Sequence, residues 1–258
     1  MRRAVSSLGL LLLAVSFIWL IHLPVPARSH ATAPRRPLAG AEKKLVVVLD
    51  PGHGGQDSGA MCGSVTEKDL TLDVALRAEL LLRAAGFTTV LTRDSDRYVS
   101  LADRASLGNR AENSLFISIH FNDSQREAAS GVETFYALQQ STRPGFLSWL
   151  PFLQPADSSS LTAESQNLAV SLQSALVERT RAVNRGTKPE QFYVIANVRH
   201  PAVLVEAGFM TNKADAKQLA TAEYRQQLAS AISEGVERYR AALRKGKTTL
   251  ALAAAHPE

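Results

Sequence analysis

The feature that most constrains this chain is a run of five apolar residues, Leu45-Val46-Val47-Val48-Leu49, cut off by Asp50-Pro51-Gly52. A strand with one wet face alternates polar and apolar side chains. A strand without alternation is buried on both faces, as in a mostly parallel sheet covered by helices. The next segment agrees: residues 67–85 place Leu70, Val74, Leu76, Leu80 and Leu81 at helical spacing, and Gly86 stands where a left-handed cap belongs. The pattern continues with a strand at 88–91, a helix at 101–112, strands at 115–120 and 132–138, a helix at 161–180, strands at 192–195 and 202–205, and a helix at 224–243. This alternation predicts an α/β fold: a single domain over residues 44–245 whose twisted, mixed, mostly parallel sheet carries helices on both faces. At 258 residues and 45% hydrophobic, the chain has ample apolar surface for such a core. Residues 246–258 are left as a short tail.

The N-terminus is of another kind. Met1-Arg2-Arg3 precedes a nearly unbroken apolar stretch from Ala4 to Leu20, and two small-x-small sites follow, Val25-Pro26-Ala27 and Ala31-Thr32-Ala33. Residues 1–33 therefore read as a signal peptide cleaved after Ala33, and 34–43 as a linker. The alternative is an uncleaved membrane anchor, since residues 4–23 supply about the 20 residues that a span requires. Either way the chain is expected to act outside the cytoplasm, periplasmic or secreted. Three of the five net positive charges, Arg2, Arg3 and Arg28, lie in this leader and leave only +2 on the remainder, so no nucleic acid partner is expected. The lone Cys62 forms no intrachain disulfide, and a monomer is expected.

In open α/β sheets, ligands bind beyond the carboxyl ends of the strands. Three polar residues stand at such ends: His53 in Asp50-Pro51-Gly52-His53-Gly54-Gly55, His120 after Leu115-Phe116-Ile117-Ser118-Ile119, and Glu206 after Ala202-Val203-Leu204-Val205. Glu67, after Thr66, opens the first helix. Each has an ordinary reading too. Glu67 could simply complement the helix dipole beside a Thr66 cap, and His120 could be a satisfied core histidine. Glu206 is harder to dismiss, because a carboxylate continuing an apolar strand is costly to bury unpaired. Two imidazoles and a carboxylate form a hydrolytic zinc ligand set, and a further carboxylate can take a proton from water there.

Four blocks, Leu49-Asp50-Pro51-Gly52-His53-Gly54-Gly55, Thr66-Glu67-Lys68, Ser118-Ile119-His120-Phe121-Asn122 and Val205-Glu206-Ala207-Gly208-Phe209-Met210-Thr211-Asn212, resemble in order and surroundings the zinc-dependent N-acetylmuramoyl-L-alanine amidases, the family that includes the bacterial cell-separation amidases. Leu91-Thr92-Arg93, Leu101-Ala102-Asp103-Arg104-Ala105, Gly131-Val132-Glu133-Thr134-Phe135 and Asn184-Arg185-Gly186-Thr187-Lys188 extend the resemblance over residues 45–240. It implies that His53, Glu67 and His120 hold one Zn²⁺, that Glu206 is the catalytic carboxylate, and that Asn122 and Arg185 bind substrate. The substrate it implies is peptidoglycan, cut between the lactyl group of N-acetylmuramic acid and L-alanine in wall remodelling and daughter-cell separation. A zinc peptidase of the stem peptides and an inactive wall-binding regulatory module are the competing readings.

Two departures carry expectations of their own. Phe121 stands where the family has a small residue, which predicts a narrower cleft or a stacking surface. Cys62 lies between two of the implied ligands without a role in the family pattern and is read as a bystander. The irregular segment 139–160, rich in bulky residues such as Phe146, Trp149 and Phe152, is read as a lid or docking patch for an activator protein.

Overall fold

The computed structural model of the protein describes residues 44–140 and 158–255. The leader and linker expected over 1–43, and Phe146, Trp149 and Phe152 with most of the 139–160 segment, lie outside them. Eight strands are seen among the described residues: β1 Val46–Pro51, β2 Met61–Cys62, β3 Val65–Thr66, β4 Thr88–Leu91, β5 Ser114–Asn122, β6 Val132–Tyr136, β7 Asn184–Pro189 and β8 Ala202–Phe209. The helices, in chain order, are α1 Glu67–Ala84, α2 Leu101–Gly108, α3 Ser158–Thr180, the single turn α4 Tyr193–Ala196, α5 Lys213–Leu219 and α6 Ala222–Ala255.

Six strands form one sheet in the order β4-β1-β5-β8-β6-β7, while β2 and β3 make a separate small hairpin. Strands β4, β1, β5 and β8 are mutually parallel. Strand β6 runs antiparallel to β8, and β7 runs parallel to β6. The sheet is therefore mixed and mostly parallel. This reversal has a direct consequence for function: the amino ends of β6 and β7 reach the same sheet edge as the carboxyl ends of β1, β5 and β8.

The predicted double burial holds. On one face Val47, Leu49, Leu115, Ile117, Ile119, Val203 and Val205 pack against Leu70, Val74, Ala78 and Leu82 of α1, Leu168, Leu172 and Leu176 of α3, and Leu228, Ile232 and Val236 of α6. On the other, Val48, Phe116 and Leu204 meet Ala105 of α2 with Val194 and Ile195 of α4. Helix α1 ends as expected: Gly86 has φ +83°, and the Gly86 and Phe87 N–H groups donate to the Arg83 and Leu82 carbonyls, closing a Schellman turn. Its buried stripe differs from the simplest helical reading, because Leu80 is 70% exposed.

Some elements depart from the sequence expectation. Residues 192–195 form a helical turn, not a strand; the adjacent Val194 and Ile195 are both buried while Phe192 and Tyr193 are exposed, a grouping that a strand would alternate. Residues 184–189, which fall outside the strands expected from the sequence, form the edge strand β7. Its polar, half-exposed composition gives no apolar run, and Pro189 is tolerated at its end because an edge strand needs no second ladder partner there. The second helix stops at Gly108, where a Cβ would meet Phe116 at 2.7 Å. The last helix continues to Ala255 through most of the expected tail, whose alanines favour helix.

Helices α3 and α6 approach closely at Gly235, where an added Cβ would lie 2.8 Å from the Leu172 Cα. Alanine at an exposed helix position would gain about 1 kcal/mol over glycine. Here the neighbour is backbone, so the helices must separate, at an overpacking cost of about 1–3 kcal/mol. Gly235→Ala is expected to lower the midpoint of thermal unfolding; a raised midpoint would show that the helices can part freely.

Candidate metal centre and catalytic edge

The site is built where β1, β5 and β8 end. After β1 the chain turns through His53, itself in the left-handed region at φ +60°, a conformation uncommon for a residue with a Cβ. Asp57 then accepts or shares a proton with His53 Nδ1 at 2.9 Å and fixes the ring so that Nε2 faces inward, 3.1 Å from Glu67 Oε2. Glu67 is the first residue of α1 and buried, and its other oxygen lies 3.0 Å from His120 Nδ1 on β5. The Phe121 and Ala60 N–H groups donate to Glu67 Oε1 and Oε2. Thr66, by contrast, makes no side-chain cap and donates instead to Asp69. The position of Glu67 thus serves the two histidines, not the helix end. His120 is not a core histidine, since its side chain stays 20% exposed at the site edge. Room for its ring depends on Gly52, where a Cβ would stand 2.3 Å from the imidazole.

His53, Glu67 and His120 offer ligand atoms that all lie within 4.8 Å of one another, so the group could hold a metal ion. Its chemistry fits a divalent cation: two imidazoles and one carboxylate converge. Asp57 behind His53 supplies the outer carboxylate that commonly fixes a ligating histidine. Burial acts to raise the Glu67 carboxyl, but hydrogen bonds to His120 and His53 outweigh it and hold the group far below the usual carboxylate range. His53 moves the other way. Burial would depress it, yet Glu67 and Asp57 together raise it.

Glu206 lies on β8 directly opposite His120 and, on its other side, directly opposite Glu133 of β6. Its Oε2 atom is buried and has no hydrogen-bond partner among the described residues. Burial, reinforced by the negative charges of Glu67 and Glu133, pushes this carboxyl well above its usual range. Glu206 thus sits in register with His120 at the end of the site, its proton affinity raised by its surroundings.

Glu133 is the residue that sequence reasoning passed over. It is buried, accepts from Asn122 Nδ2 at 2.6 Å and Arg185 Nε at 3.1 Å, and pairs with Lys188. Burial raises it, but Lys188, Arg185 and Asn122 prevail and keep it ionised more readily than usual. The expected substrate residues Asn122 and Arg185 are thus brought together by one carboxylate at the edge of a cavity of about 620 Å³. Phe121, however, points into the main core and is 2% exposed, so it neither narrows the cleft nor offers a stacking face; strand alternation sends it to the side opposite His120. Cys62 is exposed on the β2–β3 hairpin and is not among the grouped ligands.

Behind the loop lies a buried polar frame. Asp50 accepts from Thr92 Oγ1 at 2.6 Å, Ser118 Oγ at 2.7 Å and Arg104 Nη1 at 2.7 Å. Arg104 also donates to the Pro51 and His53 carbonyls, while Arg93, with no exposed surface, donates to the Pro51, Gly52 and Lys68 carbonyls. Removing one member of a buried ion pair leaves the other uncompensated, at about 3–5 kcal/mol. Arg104→Met is expected to destabilise the fold by that amount in urea unfolding; an unchanged midpoint would mean that Thr92 and Ser118 suffice for Asp50.

The chain is 33% identical to the N-acetylmuramoyl-L-alanine amidase LytC of Bacillus subtilis over 87% of its own length and 40% of that protein's, so it spans less than half of LytC. It matches the structure of the N-acetylmuramoyl-L-alanine amidase AmiC2 of Nostoc punctiforme with a TM-score of 0.64 and 34% identity, over 76% of this chain and 96% of that one. The CwlD amidase from Clostridioides difficile, solved in complex with the GerS lipoprotein, matches with a TM-score of 0.64 and 27% identity, over 76% and 98%. Residues 47–238 match the family model Amidase_3, N-acetylmuramoyl-L-alanine amidase, and the chain belongs to that family.

Proposed function

We propose that this protein is a zinc-dependent N-acetylmuramoyl-L-alanine amidase that hydrolyses the amide between the lactyl group of N-acetylmuramic acid and L-alanine in peptidoglycan. The observation that carries the reading is the convergence of His53, Glu67 and His120 beside a buried Glu206 with an open oxygen. In this reading the first three residues hold one Zn²⁺ and Glu206 is catalytic. When bound, the metal supplies the Lewis-acid chemistry of hydrolytic zinc sites, polarising a carbonyl and making water acidic near neutral pH.

The remaining work belongs to the protein. Glu206 Oε2 takes the proton of the attacking water and returns it to the departing alanine nitrogen. Asp57 holds the His53 ring with Nε2 inward, and Glu133 holds Asn122 and Arg185 at the cavity where substrate lies. The catalytic domain is taken as residues 44–245. The leader read at 1–33, whether cleaved or kept as an anchor through residues 4–23, would put the enzyme outside the cytoplasm with its polymer. The 139–160 segment, with Phe146, Trp149 and Phe152, is proposed as the place where a partner protein acts.

The test is digestion of intact peptidoglycan by the wild type and Glu206→Gln, with mass spectrometry of the fragments and zinc content of both proteins. The wild type is expected to release stem peptides that begin with a free L-alanine amine, to lose this on chelation and to regain it with zinc. Glu206→Gln is expected to keep its zinc and lose at least about 100-fold in rate, the usual scale for a general acid–base group. Fragments cut within the stem peptide would contradict the assignment of the bond, and near-normal turnover by Glu206→Gln would contradict the assignment of the base.

A further inference from the structure

The row that begins at the metal centre continues past it. His120, Glu206 and Glu133 are direct neighbours across β5, β8 and β6, and Arg185 stands on β7, the next strand. Arg185 spends only Nε on Glu133, and its guanidinium carbon lies 4.9 Å from the centroid of the Phe209 ring. Among the described residues its two terminal nitrogens have no hydrogen-bond partner. Arg185 lines the 620 Å³ cavity, together with Asn122, Ser124, Arg126 and Phe209. A planar guanidinium that is oriented through Nε, supported on an aromatic face and open at both terminal nitrogens matches the two oxygens of a carboxylate. The acidic residues of the wall do not cancel this. Glu133 is shared between Lys188 and the Nε of Arg185, and Arg126 adds a second positive side chain to the same wall as Asp123.

We infer that Arg185 reads a carboxylate on the peptide side of the scissile amide, and so makes the enzyme selective for stem peptides whose second residue carries a free acid over those in which it is an amide. This rests on the amidase reading. The spacing supports it. Adjacent strands lie about 4.8 Å apart, so β7 is two spacings from Glu206 and the long arginine side chain reaches back over Glu133. One extended residue spans about 3.5 Å, which puts a carboxylate on the second residue about 7 Å from the bond that is cut. The L-alanine then lies above Glu133, and the acid of the next residue meets Arg185.

The test compares N-acetylmuramoyl-L-alanyl-D-isoglutamate with its isoglutamine counterpart, which differ only in carboxylate against carboxamide. Hydrolysis is measured with the zinc-loaded wild type, Arg185→Gln and Arg185→Lys, and binding of both compounds by calorimetry to Glu206→Gln with and without Arg185→Gln. The acid is expected to be preferred about tenfold or more in kcat/KM, mostly through KM, as for a charge-assisted bidentate contact. Arg185→Gln should bring the two substrates within about twofold by loss on the acid, and Arg185→Lys should fall between. Any effect of Arg185 on Glu133 lowers both rates and leaves the ratio intact. Equal wild-type rates, or a preference that survives Arg185→Gln, would overturn the inference. Hydrolysis of neither compound together with no free L-alanine amine released from intact peptidoglycan would overturn the amidase reading instead, and the calorimetric preference would still decide whether Arg185 reads a carboxylate.

Discussion

The structure depends on a buried charge placed behind the active edge. Asp50, at the end of a strand with no wet face, would be an intolerable burial on its own. It is made tolerable by Arg104, Thr92 and Ser118, which come from α2, the segment after β4 and the middle of β5. The same arginine, with Arg93, then holds the carbonyls of the next turn. Arg93 reaches Gly52 on one side and Lys68 on the other, so the loop that presents His53 and the helix start that presents Glu67 are tied to a single guanidinium. Two residues of the candidate metal group, His53 and Glu67, are thereby tied to one frame.

On that frame the carboxylates are driven to different tasks. Glu67 sits between two imidazoles and is held as an anion; Glu206, one row away, has burial and two neighbouring negative charges against it and holds protons more tightly. Such a separation of proton affinities is what the proposed roles of Glu67 as a ligand and Glu206 as a proton carrier require. Glu133 completes the set by staying ionised among Lys188, Arg185 and Asn122, where its charge both raises Glu206 and organises the side chains of the cavity. The antiparallel turn of β6 makes this possible, because it brings an early residue of one strand opposite a late residue of another.

What was legible in the sequence follows from the same physics. The unbroken apolar run of β1 announced double burial, and His53, His120 and Glu206 stood out as polar residues at the carboxyl ends of strands. Glu133 did not stand out, because it lies near the start of β6, and only the direction of that strand takes it to the site. Arg93 and Arg104 were visible as parts of a family pattern but had no role until the carbonyls they bind were in view. β7 escaped notice because an edge strand of Asn-Arg-Gly-Thr-Lys-Pro lacks any apolar period, and Phe192–Ile195 misled because a short apolar run reads equally as strand or helical turn. Phe121 departs from its expected place at the cleft by one step of strand alternation, since the residue next to His120 faces the other way.

The central claim is that His53, Glu67 and His120 together form one metal site on this frame. Anomalous diffraction across the zinc absorption edge, on crystals grown with zinc, tests it most directly. A single strong peak is expected, bonded to His53 Nε2, the Glu67 carboxylate and His120 Nδ1, at about 2.0–2.2 Å from each. A peak bonded to other residues, such as Cys62, or none at this group, would contradict it.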